Sequence, residues 1–169
     1  MLGGSLEGVS QRVRLLSDAS EYGLRAVIWL ALRPGSTRKV REIAEATHSS
    51  PGYLVKVLQS LAKAGILSAQ RGAHGGFTLE RDPKTLTVLE VLNAIDPIER
   101  IRTCPLGIES HGFVLCPMHR RIDDAMGLIE NSFANSTIHE LMNDPSPSKS
   151  RCTALTVGKS DEIVDPKKP

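Results

Sequence analysis

SPGYLVKVLQSLAKAGILSAQRGAHGGFTLE, residues 50–80, is the stretch whose reading decides the fold of this chain. Ser50 followed by Pro51 opens a helix: the serine oxygen accepts from a free backbone N–H, and proline suits the first helical position because its missing N–H has no partner to lose. Leu54, Val57, Leu58 and Leu61 recur at i, i+3, i+4 and i+7 and form one apolar stripe. Tyr53, Lys56, Ser60 and Lys63 fall on the other face, and Gly65 supplies the left-handed residue that ends such a helix. Residues 66–71 and 77–80 then read as two strands joined by Gly72-Ala73-His74-Gly75-Gly76. Just upstream, Val40, Ile43 and Ala44 mark a shorter helix, and Thr47-His48-Ser49 makes the turn between the two. A helix pair followed by a glycine-tipped hairpin is a winged helix-turn-helix, a module that reads DNA.

Working outward, Ser17 caps a first helix running to about Leu32, with Leu24, Val27, Ile28 and Ala31 as its apolar stripe. Arg33-Pro34-Gly35-Ser36 breaks it. After the hairpin, Asp82-Pro83-Lys84 turns the chain, and Thr87 with Glu90 forms a capping box opening a helix from Val88 to about Ile95. A loop at 98–117 carries two cysteines. A long helix from Met118 to about Phe133 follows, with Ile122, Ala125, Met126, Ile129 and Phe133 on one side. That stripe needs a cover, and the same helix of a second subunit is the simplest one, with packing on its own domain as the alternative. Thr137 and Glu140 make a second capping box before a short last helix. The fold expected is therefore mainly α with a small β-hairpin wing. Its divisions are a disordered leader at 1–16, the winged helix-turn-helix at 17–97, a cysteine-bearing sensor loop at 98–117, the dimerisation helix and short last helix at 118–143, and a disordered tail at 144–169 rich in Pro, Ser, Lys and Asp.

The net charge of +2 conceals an asymmetry. Residues 1–85 hold 12 Lys+Arg against 7 Asp+Glu, whereas residues 86–169 hold 9 against 12. The basic half is the half with the reading helix, as phosphate binding requires. No apolar run approaches the roughly 18 residues of a membrane span, and the first residues lack the pattern of a secretory signal. A cytoplasmic protein without membrane contact is expected, in which Cys104, Cys116 and Cys152 form no structural disulfide framework.

The residues placed to touch DNA are Ser50, Gly52, Tyr53, Val55 and Lys56 at the start of the reading helix, Gln59 and Lys63 further along it, and Arg71, His74, Gly75 and Gly76 at the wing. Hydroxyls suit phosphates, Lys and Gln address phosphates or bases, and paired glycines let backbone N–H groups approach a phosphate. The alternative for each is an ordinary solvated face.

Leu16-Ser17, Glu21-Tyr22-Gly23-Leu24-Arg25-Ala26, Ile43-Ala44-Glu45, Tyr53-Leu54 with Leu58, Leu61-Ala62-Lys63-Ala64-Gly65-Ile66-Leu67 and above all Arg71-Gly72-Ala73-His74-Gly75-Gly76-Phe77 closely resemble the Rrf-two family of bacterial transcription regulators over residues 16–137. The resemblance implies a homodimer with one reading helix per subunit on an inverted-repeat operator in double-stranded DNA. It also implies, for sensing members, an iron–sulfur cluster held by three cysteines, each six residues after the last. Here Cys104 and Cys116 match the outer two, while Ser110, beside His111, stands at the middle position. Cys116-Pro117-Met118-His119 resembles the spacing by which one branch of the family recruits a histidine, and Glu21 matches a position that supplies a carboxylate from the partner subunit.

Two thiolates with nitrogen or oxygen donors suffice for a 2Fe–2S cluster, because imidazole replaces thiolate on one iron in some centres. The expected ligand set is Cys104, Cys116, His119 or His111, and Glu21 of the other subunit. Zinc, the less favoured occupant, would use the same groups. The competing reading is a regulator without cofactor, gated by a protein or small-molecule partner. An enzyme using Cys116 and His119 as nucleophile and base is the third, and it lacks an oxyanion-hole signature or an orienting acid.

Overall fold

Ser17 opens the first helix: its Oγ accepts from the Ser20 N–H at 3.2 Å, and α1 (Asp18–Ala31) starts at the next residue. The structure, a computed structural model, describes residues 15–72, 75–105 and 114–144. The expected leader and tail therefore lie, but for a few boundary residues, outside the described residues. The periodicity of α1 predicts one apolar face, yet all the residues at 26–31 are buried, Trp29 and Leu30 among them. The reason is position: the helices at Val40–Thr47, Pro51–Lys63, Val88–Asn93 and Ile138–Asn143 and the strand at Gly76–Leu79 all pack on α1, so its second half has no solvent side. Trp29 closes that core, with the Arg33 guanidinium stacked 4.0 Å from its ring centroid.

Helix α2 (Val40–Thr47) ends at His48, which takes the left-handed conformation (φ 52°) to make the turn. Thr47 is fully buried there; its hydroxyl donates to the Ile43 carbonyl at 2.9 Å and lies 2.9 Å from the Ser49 hydroxyl. Helix α3 (Pro51–Lys63) begins as expected, with Ser50 Oγ accepting from the Tyr53 N–H at 3.4 Å. Leu54, Val57, Leu58 and Leu61 all face the core, and Gly65 has the left-handed φ of 72°.

The wing is an antiparallel pair, β1 (Leu67–Gln70) and β2 (Gly76–Leu79), with Leu67 opposite Leu79 and Gln70 opposite Gly76. A third rung comes from outside it. The Arg38 N–H donates to the Phe77 carbonyl at 2.9 Å, and the Phe77 N–H returns a bond to the Arg38 carbonyl at 2.8 Å. A Cβ at residue 76 would sit 2.3 Å from the Arg38 carbonyl oxygen, so only glycine admits this approach.

Both capping boxes are present. Before α4 (Val88–Asn93), the Glu90 N–H donates to Thr87 Oγ1 at 3.2 Å and the Thr87 N–H to Glu90 Oε2 at 2.9 Å. The Thr87 N–H is the main reason the Glu90 carboxyl lies below its usual pKa. The second box opens α6 (Ile138–Asn143), after the long helix α5 (Pro117–Ala134). The two caps meet, because Thr87 and Thr137 form an antiparallel bridge. The Val88 N–H donates to Ser136 O, the Ile138 N–H to Leu86 O and the His139 N–H to Pro83 O, each at 2.9 Å. Ile138 is fully buried in the same core as α1, so the chain returns to the winged unit after α5.

Helix α5 itself is the exception to this packing. Its one buried residue is His119. Met118 and Ile122 are 58% and 42% exposed and Ala125 is exposed, while Met126, Ile129 and Phe133 are half-buried. No helix of the described residues is long and apolar enough to cross a membrane.

Candidate nucleic-acid interface and cysteine site

Burial of the Leu54–Leu61 stripe turns the opposite row of α3 outward. Gly52, Lys56, Gln59 and Lys63 follow one another at i, i+4, i+7 and i+11, and all four are exposed. Two of these are cations, and no other element among the described residues lies within 4 Å of where a Cβ on Gly52 would point. Tyr53, 44% exposed, rests its ring edge-on against Tyr22, with centroids 5.9 Å apart. Val55 is half-buried on the flank. Ser50 is exposed, but its oxygen is committed to the helix cap. Arg25 braces the turn before α3 by donating to the Thr47 carbonyl at 3.4 Å.

At the wing, Arg71 is exposed beside Gly72, whose φ is 101°. The Gly75 N–H closes the turn on the Gly72 carbonyl at 2.9 Å. A Cβ on Gly75 would lie 2.5 Å from the Gln70 carbonyl oxygen. Both glycines of the pair are thus required by the protein's own backbone, a reason that the sequence pattern did not reveal. His74 lies outside the described residues.

The cysteine loop brings three of the expected ligands together. Cys116 is the N-cap residue of α5, with no cap bond from its side chain, and Pro117 opens the helix. That geometry puts His119 on the first turn, 8% exposed. Cys116 Sγ is 3.3 Å from His119 Nδ1, and Cys104 Sγ approaches the same nitrogen at 4.0 Å. Both thiols are free and half-buried. Glu21 is elsewhere, exposed on the first turn of α1 and ion-paired with Arg25 of its own chain. Ser110, His111 and Cys152 lie outside the described residues. Among the described residues, no three His, Cys, Asp or Glu side chains are grouped closely enough to hold an ion as they stand.

One residue of this region went unmarked in the sequence pattern. Arg100 makes a two-pronged contact with Asp123 of α5, Nε to Oδ1 and Nη2 to Oδ2, each 2.7 Å, and its Nη1 lies 3.4 Å from Glu130 Oε2. The Ile101 N–H donates to the same Asp123 Oδ1 at 2.9 Å. The Arg100 hydrogen bonds hold the Asp123 carboxyl below its ordinary pKa, and the same contact raises that of the guanidinium. Asp123, Gly127 and Glu130 recur at i, i+4 and i+7, a slot between carboxylates that was open to reading; nothing in the sequence selects Arg100 over Arg102 to fill it.

Residues 16–144 match the Rrf2 family profile, described as an iron-dependent transcriptional regulator. An HTH-type transcriptional regulator of Aquifex aeolicus (strain VF5) is 27% identical over 132 residues, covering 76% of this chain and 92% of that protein. Among solved structures, CymR of B. subtilis, the global cysteine regulator, superposes with a TM-score of 0.61 at 23% identity, over 75% of this chain and 94% of the other. IscR of T. potens gives 0.63 at 22% identity, over 80% and 91%. At these identities the structures establish the fold, a mostly helical winged unit with a two-stranded hairpin. The family profile spans well over half the chain, and this protein belongs to the Rrf2 family of transcriptional regulators, which bind DNA and are not enzymes.

Proposed function

We propose that the protein is a homodimeric regulator that binds an inverted-repeat operator and senses redox, nitric oxide or iron–sulfur status through a 2Fe–2S cluster in its cysteine loop. The observation that carries the sensing part is the convergence of the Cys104 and Cys116 thiols on the buried imidazole of His119. The donor set fits the group: two soft sulfurs and one nitrogen are what a mixed-ligand cluster takes, and His111 and the partner's Glu21 are the candidates for the remaining position. When bound, such a cluster supplies a reversible change of charge and ligation at the loop. The residues do the rest. Cys116 and His119 sit on the first turn of α5, so a change at their side chains acts directly on the helix expected to join the subunits. Zinc on the same groups is the lesser alternative.

DNA binding is supported by the exposed cationic row of α3, with Arg71 at the wing, and pairing of subunits by α5, whose apolar edge is only partly covered by the described residues. Two such subunits back to back place their α3 helices in successive major grooves, about 34 Å apart. Arg71→Ala weakens binding to every sequence and lowers the log–log salt slope by about one, the mark of one lost phosphate contact. Lys56→Ala shifts sequence preference instead. Titrations at several salt concentrations separate the two, and an unchanged slope removes Arg71 from the phosphate contacts.

A regulator without cofactor, gated by a partner, is the second reading, favoured by Ser110 where the family's middle cysteine stands. The absorbance spectrum of anaerobically purified protein decides between them. Visible sulfur-to-iron bands select the cluster. A colourless, metal-free protein that still binds DNA selects the partner-gated regulator.

A further inference from the structure

Arg100 is held more firmly than a loop arginine needs to be. Isolated exposed ion pairs contribute little, but this one is two-pronged on Asp123, shared with Glu130, and reinforced by the Ile101 N–H on the same carboxylate. It also has a shaped seat. A Cβ on Gly127 would lie 2.9 Å from Arg100 Nη1 and 3.1 Å from Cζ, so the bare backbone of α5 at that position is what lets the guanidinium lie across the helix.

The seat is in register with the thiol site. Asp123 is one turn beyond His119 on the same helix, a displacement of about 6 Å. Cys104 is three residues beyond Ile101, a reach of at most about 10 Å. Gripping residues 100 and 101 at Asp123 therefore confines Cys104 to the neighbourhood of His119, and its Sγ is found 4.0 Å from Nδ1. On the other side, Cys116 is tied to His119 by α5 itself and needs no such clamp.

We infer that Arg100 is a positioning residue for Cys104: by clamping residues 100 and 101 to Asp123 and Glu130 across Gly127, it holds the Cys104 thiol against His119. Its consequence for metal binding rests on the reading of Cys104, Cys116 and His119 as a ligand set.

The test compares the full-length parent with Arg100→Ala and Gly127→Ala. Gly127→Ala removes no charge and no ligand. Its methyl displaces the end of a flexible side chain, and alanine is the better helix former, so α5 is not weakened. In metal-free, reduced protein, iodoacetamide labelling is followed by mass spectrometry at Cys104 and Cys116 separately. Both variants label Cys104 several-fold faster than the parent while Cys116 changes little. Unchanged labelling of Cys104 in both variants overturns the inference, as does an equal rise at both cysteines, which would mean general loosening of the loop. Cobalt(II) titration, read by sulfur-to-metal absorption, addresses the site separately. A parent that binds cobalt loses about 10–100-fold in affinity in either variant, as for other residues that orient a ligand. A parent that binds neither cobalt nor iron refutes the ligand-set reading and leaves the labelling result to judge Arg100.

Discussion

Ile138→Ala lowers the stability of the protein by about 2–5 kcal/mol, the usual cost of emptying a well-packed aliphatic site. Ile138 is fully buried in the core formed around α1, although it follows the long helix and is remote in sequence from the reading helix. Its own N–H bonds Leu86, and flanking bonds from Val88 and His139 tie the same junction. The surroundings therefore cannot collapse freely into the gap. Urea unfolding of the parent and variant measures the change. Leu141, 37% exposed on the same short helix, is the comparison, and its replacement by alanine costs far less. A variant at Ile138 as stable as the parent would mean that α6 is not part of the winged unit's core.

The second large effect is on assembly. Ile122→Glu combined with Ile129→Glu yields a monomer in sedimentation and weakens operator binding by about 10²–10⁴-fold, the advantage normally conferred by linking two reading modules. Met118, Ile122, Ala125 and Ile129 follow the i, i+4, i+7, i+11 row of α5, and this row borders the solvent-exposed side of the helix. In the proposed dimer, carboxylates placed there would meet their own copies across a two-fold seam, where like charges repel. The fold of each chain is little affected, because neither Ile122 nor the half-buried Ile129 is part of the core. A dimer that persists in the double variant would place the subunit contact elsewhere.

What was legible in the sequence was local. Ser17, Ser50, Thr87 and Thr137 each cap the helix they were expected to cap, and Gly65 ends α3, since these signals involve residues within a few positions of one another. The stripe of α3 was legible because one face of that helix is core and the other is solvent. The stripe of α1 likewise lies on the core, but burial extends around its second half beyond that stripe, because five elements pack on α1 and periodicity describes a helix against a single surface. The bridge between Arg38 and Phe77 and the meeting of Thr87 with Thr137 join segments far apart in the chain, and no pattern within either segment announces them. At the site, the spacing Cys116 to His119 was readable as one helical turn. That Cys104 reaches the same imidazole depends on the path of the loop, and so on Arg100, whose partner lies 23 residues away.

Control of the DNA-binding half by what Cys104, Cys116 and His119 hold shows itself in operator affinity, measured on one anaerobic preparation before and after chelation of its metal, using DNA sites that the protein itself selects from a random pool. A coupling of ~1–3 kcal/mol between loop and reading helices changes that affinity by roughly 5–150-fold, and Cys104→Ala abolishes the difference. Identical binding curves with and without metal would contradict this and leave the cysteine loop without a role in control.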